Sequence, residues 1–148
     1  MATENTQNNQ LNVLVVEDDS DIGQIIDLML REMGFRTIVL IRDGIRGWNE
    51  FRKSPDKYQI VISDWEMPKM NGLQLLKAVR KIRPETLFMM LTVRSDPDAI
   101  MAAQKEGVTA YVAKPFSPRL LQEKMAQLVE ILLERKKEGE NNDDVVEI

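Results

Sequence analysis

The sequence predicts an α/β fold: one domain built on a parallel sheet of five strands, doubly wound, with helices on both faces. Three observations predict it. Short apolar, β-branched runs recur five times along the chain, nearly continuous rather than alternating, as in strands covered on both faces. Amphipathic stretches of helical length separate them. The chain has 148 residues, enough for one hydrophobic core but not for two.

The elements follow in order. Residues 13–16 form the first strand. The helix after it covers residues 20–33, with Ile22, Ile25, Ile26, Met29 and Leu30 as its apolar set and Gly34 placed to end it in a left-handed conformation. The second strand is 37–41, and a shorter helix runs from 44 to about 53. The third strand is 60–62, followed by a helix from about 71 to 82 with Leu73, Leu76, Val79 and Ile82 on one face. The fourth strand is 87–91. The helix after it opens with Asp96 as cap, Pro97 at the first position and Asp98 in the first turn, and stops at Gly107. The fifth strand is 110–113. Ser117-Pro118 repeats the capping logic for a last helix to about residue 135, lined by Leu121, Met125, Leu128 and Leu132. Strand and helix alternate throughout, so each connection is a right-handed crossover, and five strands fit the flavodoxin-like order 2-1-3-4-5. Residues 11–135 make up the domain. The polar residues 1–10 and the acidic residues 136–148 read as disordered tails. The final Val145-Val146-Glu147-Ile148 also suits a docking peptide, although a frayed end is the preferred reading.

Composition excludes whole classes of chemistry. With no Cys there is no disulfide framework, Fe–S cluster or zinc ribbon. With no His there is no imidazole base, imidazole metal site or phosphohistidine on this chain. A metal here needs oxygen ligands, which means Mg²⁺, Mn²⁺ or Ca²⁺. No apolar run approaches a membrane span, and the N-terminus lacks an apolar signal region, so a cytoplasmic location is expected. The net charge of −4 argues against nucleic acid as the main partner. That acidity belongs to the ends: residues 1–10 contribute −1 and residues 138–148 contribute −5, which leaves 11–137 at +2.

In a doubly wound sheet, ligands bind outside the carboxyl ends of the strands. There the sequence places Glu17-Asp18-Asp19, Asp64, Thr92 and Lys114-Pro115. Each has an ordinary explanation on its own. Asp18 or Asp19 can cap the first helix, Asp64 can form a turn, and Lys114 can be a solvated surface charge. Four strands delivering such residues to one rim makes coincidence a poor account. Three carboxylates in one cleft repel each other and invite a divalent cation. With a lysine and a hydroxyl they provide for phosphoryl transfer to a carboxylate.

These residues carry a resemblance. The segments Val13-Leu14-Val15-Val16-Glu17-Asp18-Asp19, Ser63-Asp64-Trp65-Glu66-Met67-Pro68 with Asn71-Gly72, Leu91-Thr92, and Tyr111-Val112-Ala113-Lys114-Pro115-Phe116 resemble, in that order, the receiver domain of bacterial two-component response regulators, of the stand-alone chemotaxis type. The likeness covers residues 11–133. It implies that Asp64 is the phosphoacceptor and that Asp18 and Asp19, with Asp64 and the backbone carbonyl of Glu66, seat Mg²⁺ or Mn²⁺. It implies that Thr92 and Lys114 bind phosphate oxygens, that Tyr111 is a switch aromatic, and that the Lys114–Pro115 bond is cis. A sensor histidine kinase or phosphotransfer protein would be the donor, which agrees with the missing histidine. The chain would be a signalling phosphoacceptor, with slow self-dephosphorylation, rather than a turnover enzyme.

Two positions depart from the family pattern. Glu66 stands where chemotaxis relatives often carry Asn, which implies an altered phosphoryl lifetime. Val93 follows Thr92, where a smaller residue is common, which implies narrower access to Asp64. The sequence after the fifth strand leaves no room for a DNA-binding effector of about 60 residues. Output is therefore expected through protein binding on the face formed by the fourth helix, fifth strand and fifth helix. The flagellar motor switch, a phosphorelay kinase and a second receiver all remain open as targets. Two other readings are a Mg²⁺-dependent phosphohydrolase with an aspartyl-phosphate intermediate and a phosphorylation-independent docking module.

Overall fold

A computed structural model describes residues 8–138. Five parallel strands, β1 (Asn12–Val16), β2 (Thr37–Ile41), β3 (Ile60–Ser63), β4 (Leu87–Thr92) and β5 (Ala110–Ala113), pair in the order β2-β1-β3-β4-β5. Between and after them run α1 (Ser20–Glu32), α2 (Gly44–Lys53), α3 (Gly72–Ile82), α4 (Pro97–Lys105) and α5 (Pro118–Glu138). The fold class, element order and strand order are those the sequence predicts.

Alternate residues of each strand feed two separate cores, which explains the near-continuous apolar runs. Val13, Val15, Ile60, Ile62, Met89 and Val112 pack with α1 and α5. Leu14, Val16, Val61, Phe88, Met90 and Tyr111 pack against α2, α3 and α4. Burying both faces is what the parallel arrangement needs. β2 is the exception. It pairs only with β1 and its side chains are partly exposed, as befits an edge strand.

Local chemistry sets the helix ends. Asp19, Asp43, Asn71 and Asp96 each cap a helix by accepting backbone N–H bonds in its first turn, and Asn71 with Gln74 completes a capping box. Gly34, with φ of 100°, follows α1 as expected.

Three expectations need correction. Ile25 is exposed, because it sits about 100° round α1 from the buried Ile26, outside the stripe of Ile26, Met29 and Leu30. In α3 the buried stripe is Leu75, Leu76 and Val79. Leu73 is only partly buried and Ile82 is exposed. At the ends, α5 runs three residues past 135, and Asn8 is buried, its amide donating to the Met33 carbonyl at 2.6 Å. The rest of the two expected tails, residues 1–7 and 139–148, lies outside the described residues. Among the described residues no helix is long and apolar enough to cross a membrane.

The parallel register places the site. β1 ends opposite β3 with Val16 beside Ser63, and β4 ends opposite β5 with Thr92 beside Ala113. The next residue of each strand is held by one more backbone bond: Glu17 N–H to Ile41, Asp64 N–H to Val16, Lys114 N–H to Thr92. The rim is thus an extension of the sheet and shares its rigidity.

Candidate functional site

Lys114 lies at the centre of the rim. Its Nζ donates to Asp64 Oδ2 at 2.9 Å and to Glu17 Oε1 at 2.8 Å, and all three side chains are buried or nearly so. The other oxygen of Asp64, Oδ1, accepts the Trp65 backbone N–H at 2.6 Å. Glu17 Oε2 accepts the Asp19 N–H at 3.1 Å. Burial pushes the Glu17 carboxyl above its ordinary pKa, against the lowering pull of its bonds to Lys114 and Asp19. Burial alone would lower the Lys114 ammonium, but its bonds to Glu17 and Asp64 outweigh that and hold its pKa above the usual lysine value.

One oxygen each from Glu17, Asp18 and Asp64 lies within 4.8 Å of the others. Three carboxylate oxygens are a hard, anionic donor set suited to Mg²⁺ or Mn²⁺ rather than to a thiophilic metal. Asp19 is not part of this group. It is exposed, and its Oδ1 accepts the N–H groups of Asp21 and Ile22 at 2.9 and 3.2 Å as the cap of α1. The geometry thus groups Glu17 and Asp18 with Asp64, where the expectation was Asp18 and Asp19.

Thr92 is fully buried at the end of β4, its Oγ1 accepting the Arg94 N–H at 3.2 Å. Tyr111 is buried too, and its hydroxyl donates to the Arg94 carbonyl. Burial pushes the Tyr111 phenol up to about 12. Arg94 stacks its guanidinium over the Trp65 ring at 4.5 Å and pairs with Asp96 at 3.7 Å. It thereby joins the hydroxyl of Thr92, the phenol of Tyr111 and the residue next to Asp64. Sequence reasoning missed Arg94, since no local pattern reports a contact made 29 positions away.

Glu66 and Val93 are both on the surface. Glu66 is exposed, and Lys114 binds Glu17 and Asp64 instead of it. Val93 is 65 % exposed. The Lys114–Pro115 bond is cis. The loop under Asp64 depends on Gly72, whose N–H binds the Trp65 carbonyl at 2.8 Å and whose added Cβ would lie 2.2 Å from the Asp64 carbonyl oxygen.

Comparison with known proteins agrees with this geometry. Residues 13–126 match the response regulator receiver domain family. The chain is 34 % identical over 121 residues to a chemotaxis protein CheY homologue of Campylobacter jejuni, covering 80 % of this chain and 92 % of the relative. It is 34 % identical over 117 residues to CheY1 of Helicobacter pylori, covering 78 % and 94 %. Among solved structures it is similar to a CheY-like receiver domain from Methanospirillum hungatei, with a TM-score of 0.77 and 27 % identity over 87 % of this chain and 98 % of that one. It also resembles CheY4 of Vibrio cholerae, with a TM-score of 0.74 and 28 % identity over 80 % and 98 %.

Proposed function

Because this chain belongs to the response regulator receiver family, we propose that it is a cytoplasmic response regulator that takes a phosphoryl group onto Asp64. The observation that supports this most directly is the pairing of buried Asp64 with Lys114, beside Glu17 and Asp18. Glu17, Asp18 and Asp64 would hold Mg²⁺, which supplies positive charge for the phosphoryl oxygens.

The donor is a phosphohistidine on a sensor kinase or phosphotransfer protein. An oxygen of Asp64 attacks phosphorus in line, the P–N bond breaks, and the freed imidazole takes up a proton. The product is an acyl phosphate. Attack requires an oxygen of Asp64 to leave Lys114 or the Trp65 N–H. Lys114 then follows the charge and pairs with a phosphoryl oxygen, and Thr92 turns its hydroxyl from the Arg94 N–H towards another. The phosphoryl group can shift the equilibrium between conformations only through such differential contacts. Arg94 passes the change to Tyr111 on β5, and so to the face of α4, β5 and α5 that a target protein reads. Glu66, exposed beside the site, sets the lifetime of the acyl phosphate, and Val93 narrows the approach of small donors.

Trp65 fluorescence tests the reading, because Trp65 adjoins Asp64 and lies under Arg94. We expect a saturable response to Mg²⁺, then a second change with acetyl phosphate that is lost in Asp64→Asn. Rapid multiple turnover on small phosphoesters would favour a phosphohydrolase. No response to either ligand would leave a phosphorylation-independent docking module.

A further inference from the structure

We propose that the acidic, apolar segment of residues 139–148 docks in cis into a groove between α2 and α3, on the far side of the sheet from α5. The groove, of about 300 Å³, is lined by Trp48, Gln74, Lys77, Ala78, Lys81 and Ile82. Trp48, Ala78 and Ile82 give it an apolar lining, and Ile82 is 46 % exposed although it lies on a core helix. Lys77 and Lys81 give the same lining positive charge. Neither Lys77 nor Lys81 makes an ion pair among the described residues, and α3 carries no acid at all. The stretch of chain that carries α2 and α3 shares this sign: residues 42–83 hold ten basic and five acidic side chains, although residues 11–137 as a whole carry only +2.

The proposed occupant is complementary in both respects. Residues 139–148 hold Glu140, Asp143, Asp144 and Glu147, no base, and the aliphatic Val145, Val146 and Ile148. The helix that precedes the segment ends at the same edge of the sheet as α3. Arg135, near the end of α5, donates to the Glu85 carbonyl at 2.7 Å, and Glu85 is three residues beyond Ile82. Both helices thus end at the edge of the sheet opposite the Asp64 rim. Ten extended residues span about 33 Å. A second cavity of about 260 Å³ beside α5, lined by residues including Leu11, Val129 and Leu132, is also near, but Lys136 is its only charged lining residue. Charge complementarity selects the α2–α3 groove over it.

The chain has no cysteine, so Asn142→Cys gives a unique attachment point for a nitroxide on the full-length protein. Amide signals of Lys77, Ala78, Lys81 and Ile82 and the Trp48 indole should be broadened. They should recover as salt rises from about 0.1 to 1 M, which shortens the screening length from about 10 to 3 Å. Removing residues 139–148 should shift the same resonances, and Lys77→Glu with Lys81→Glu should abolish the broadening while leaving the thermal melt of the domain in place. Broadening that is confined to α5 and Leu132, or that survives the double charge reversal, overturns the proposal.

Discussion

Replacing Lys114 with Met tests whether this lysine is the resident cation of the acidic site. Met keeps an unbranched apolar stem but leaves the Glu17 and Asp64 carboxylates without a countercharge. Their side chains are only 2 % and 10 % exposed, and that of Lys114 8 %, so water screens little of the loss. Two charge-assisted hydrogen bonds are worth about 1.5–3 kcal/mol each. Breaking one partner out of a buried ion pair costs about 3–5 kcal/mol. The two routes agree on a loss of about 3–5 kcal/mol, or a fall of about 2 M in the urea midpoint for a slope near 2 kcal/mol/M. Divalent cations should then act differently on the two proteins. In the wild type, a Mg²⁺ held by these carboxylates would share them with Lys114, whereas in the variant they are uncompensated. Urea melts at neutral pH with and without Mg²⁺ should show the ion restoring more stability to Lys114→Met than it adds to the wild type. A loss below about 1 kcal/mol on the scale of buried pairs, or equal Mg²⁺ stabilisation of both proteins, would refute the reasoning.

Three further outcomes are expected. Asp19→Ala should cost about 1 kcal/mol through loss of the α1 cap and leave Mg²⁺ affinity unchanged, whereas Asp18→Asn should weaken Mg²⁺ binding at little cost in stability; urea melts and a Mg²⁺ titration separate the two. Gly72→Ala places a Cβ 2.2 Å from the Asp64 carbonyl oxygen and 2.9 Å from the Met90 sulfur, so at least about 1–3 kcal/mol of overpacking and a shifted Trp65 emission should follow. Tyr111 should ionise near 12 in an ultraviolet titration, against about 10 when unfolded. Its raised value favours the neutral phenol in the fold, so its stability contribution is complete below pH 10 and is lost as pH rises from 10 to 12. Tyr111→Phe should flatten that part of the stability profile.

The strands and caps were legible in the sequence because they depend on local chemistry. Runs such as Val13-Leu14-Val15-Val16 announce a strand buried on both faces, and Asp96-Pro97 announces a helix start. The rim residues Asp64, Thr92 and Lys114 were legible for the same reason, since each lies at or just past the end of a strand and a parallel sheet aligns those ends. What was missed depends on angle and distance. Periodicity counted Ile25 and Ile82 as buried because it cannot say where the apolar stripe meets the sheet. Three consecutive acids, Glu17, Asp18 and Asp19, hid which one the α1 cap would claim. The contacts of Arg94 with Trp65 and Tyr111 join segments that only the folded chain brings together.

Everything proposed for the site depends on Asp64 being the group that takes up phosphate. Intact-mass measurement after incubation with acetyl phosphate, with and without Mg²⁺, tests that directly. The account predicts one phosphoryl group per chain, dependent on Mg²⁺ and absent from Asp64→Asn. Labelling that persists in Asp64→Asn, or a wild-type protein that takes up no phosphoryl group from either acetyl phosphate or a phosphorylated kinase, would contradict it.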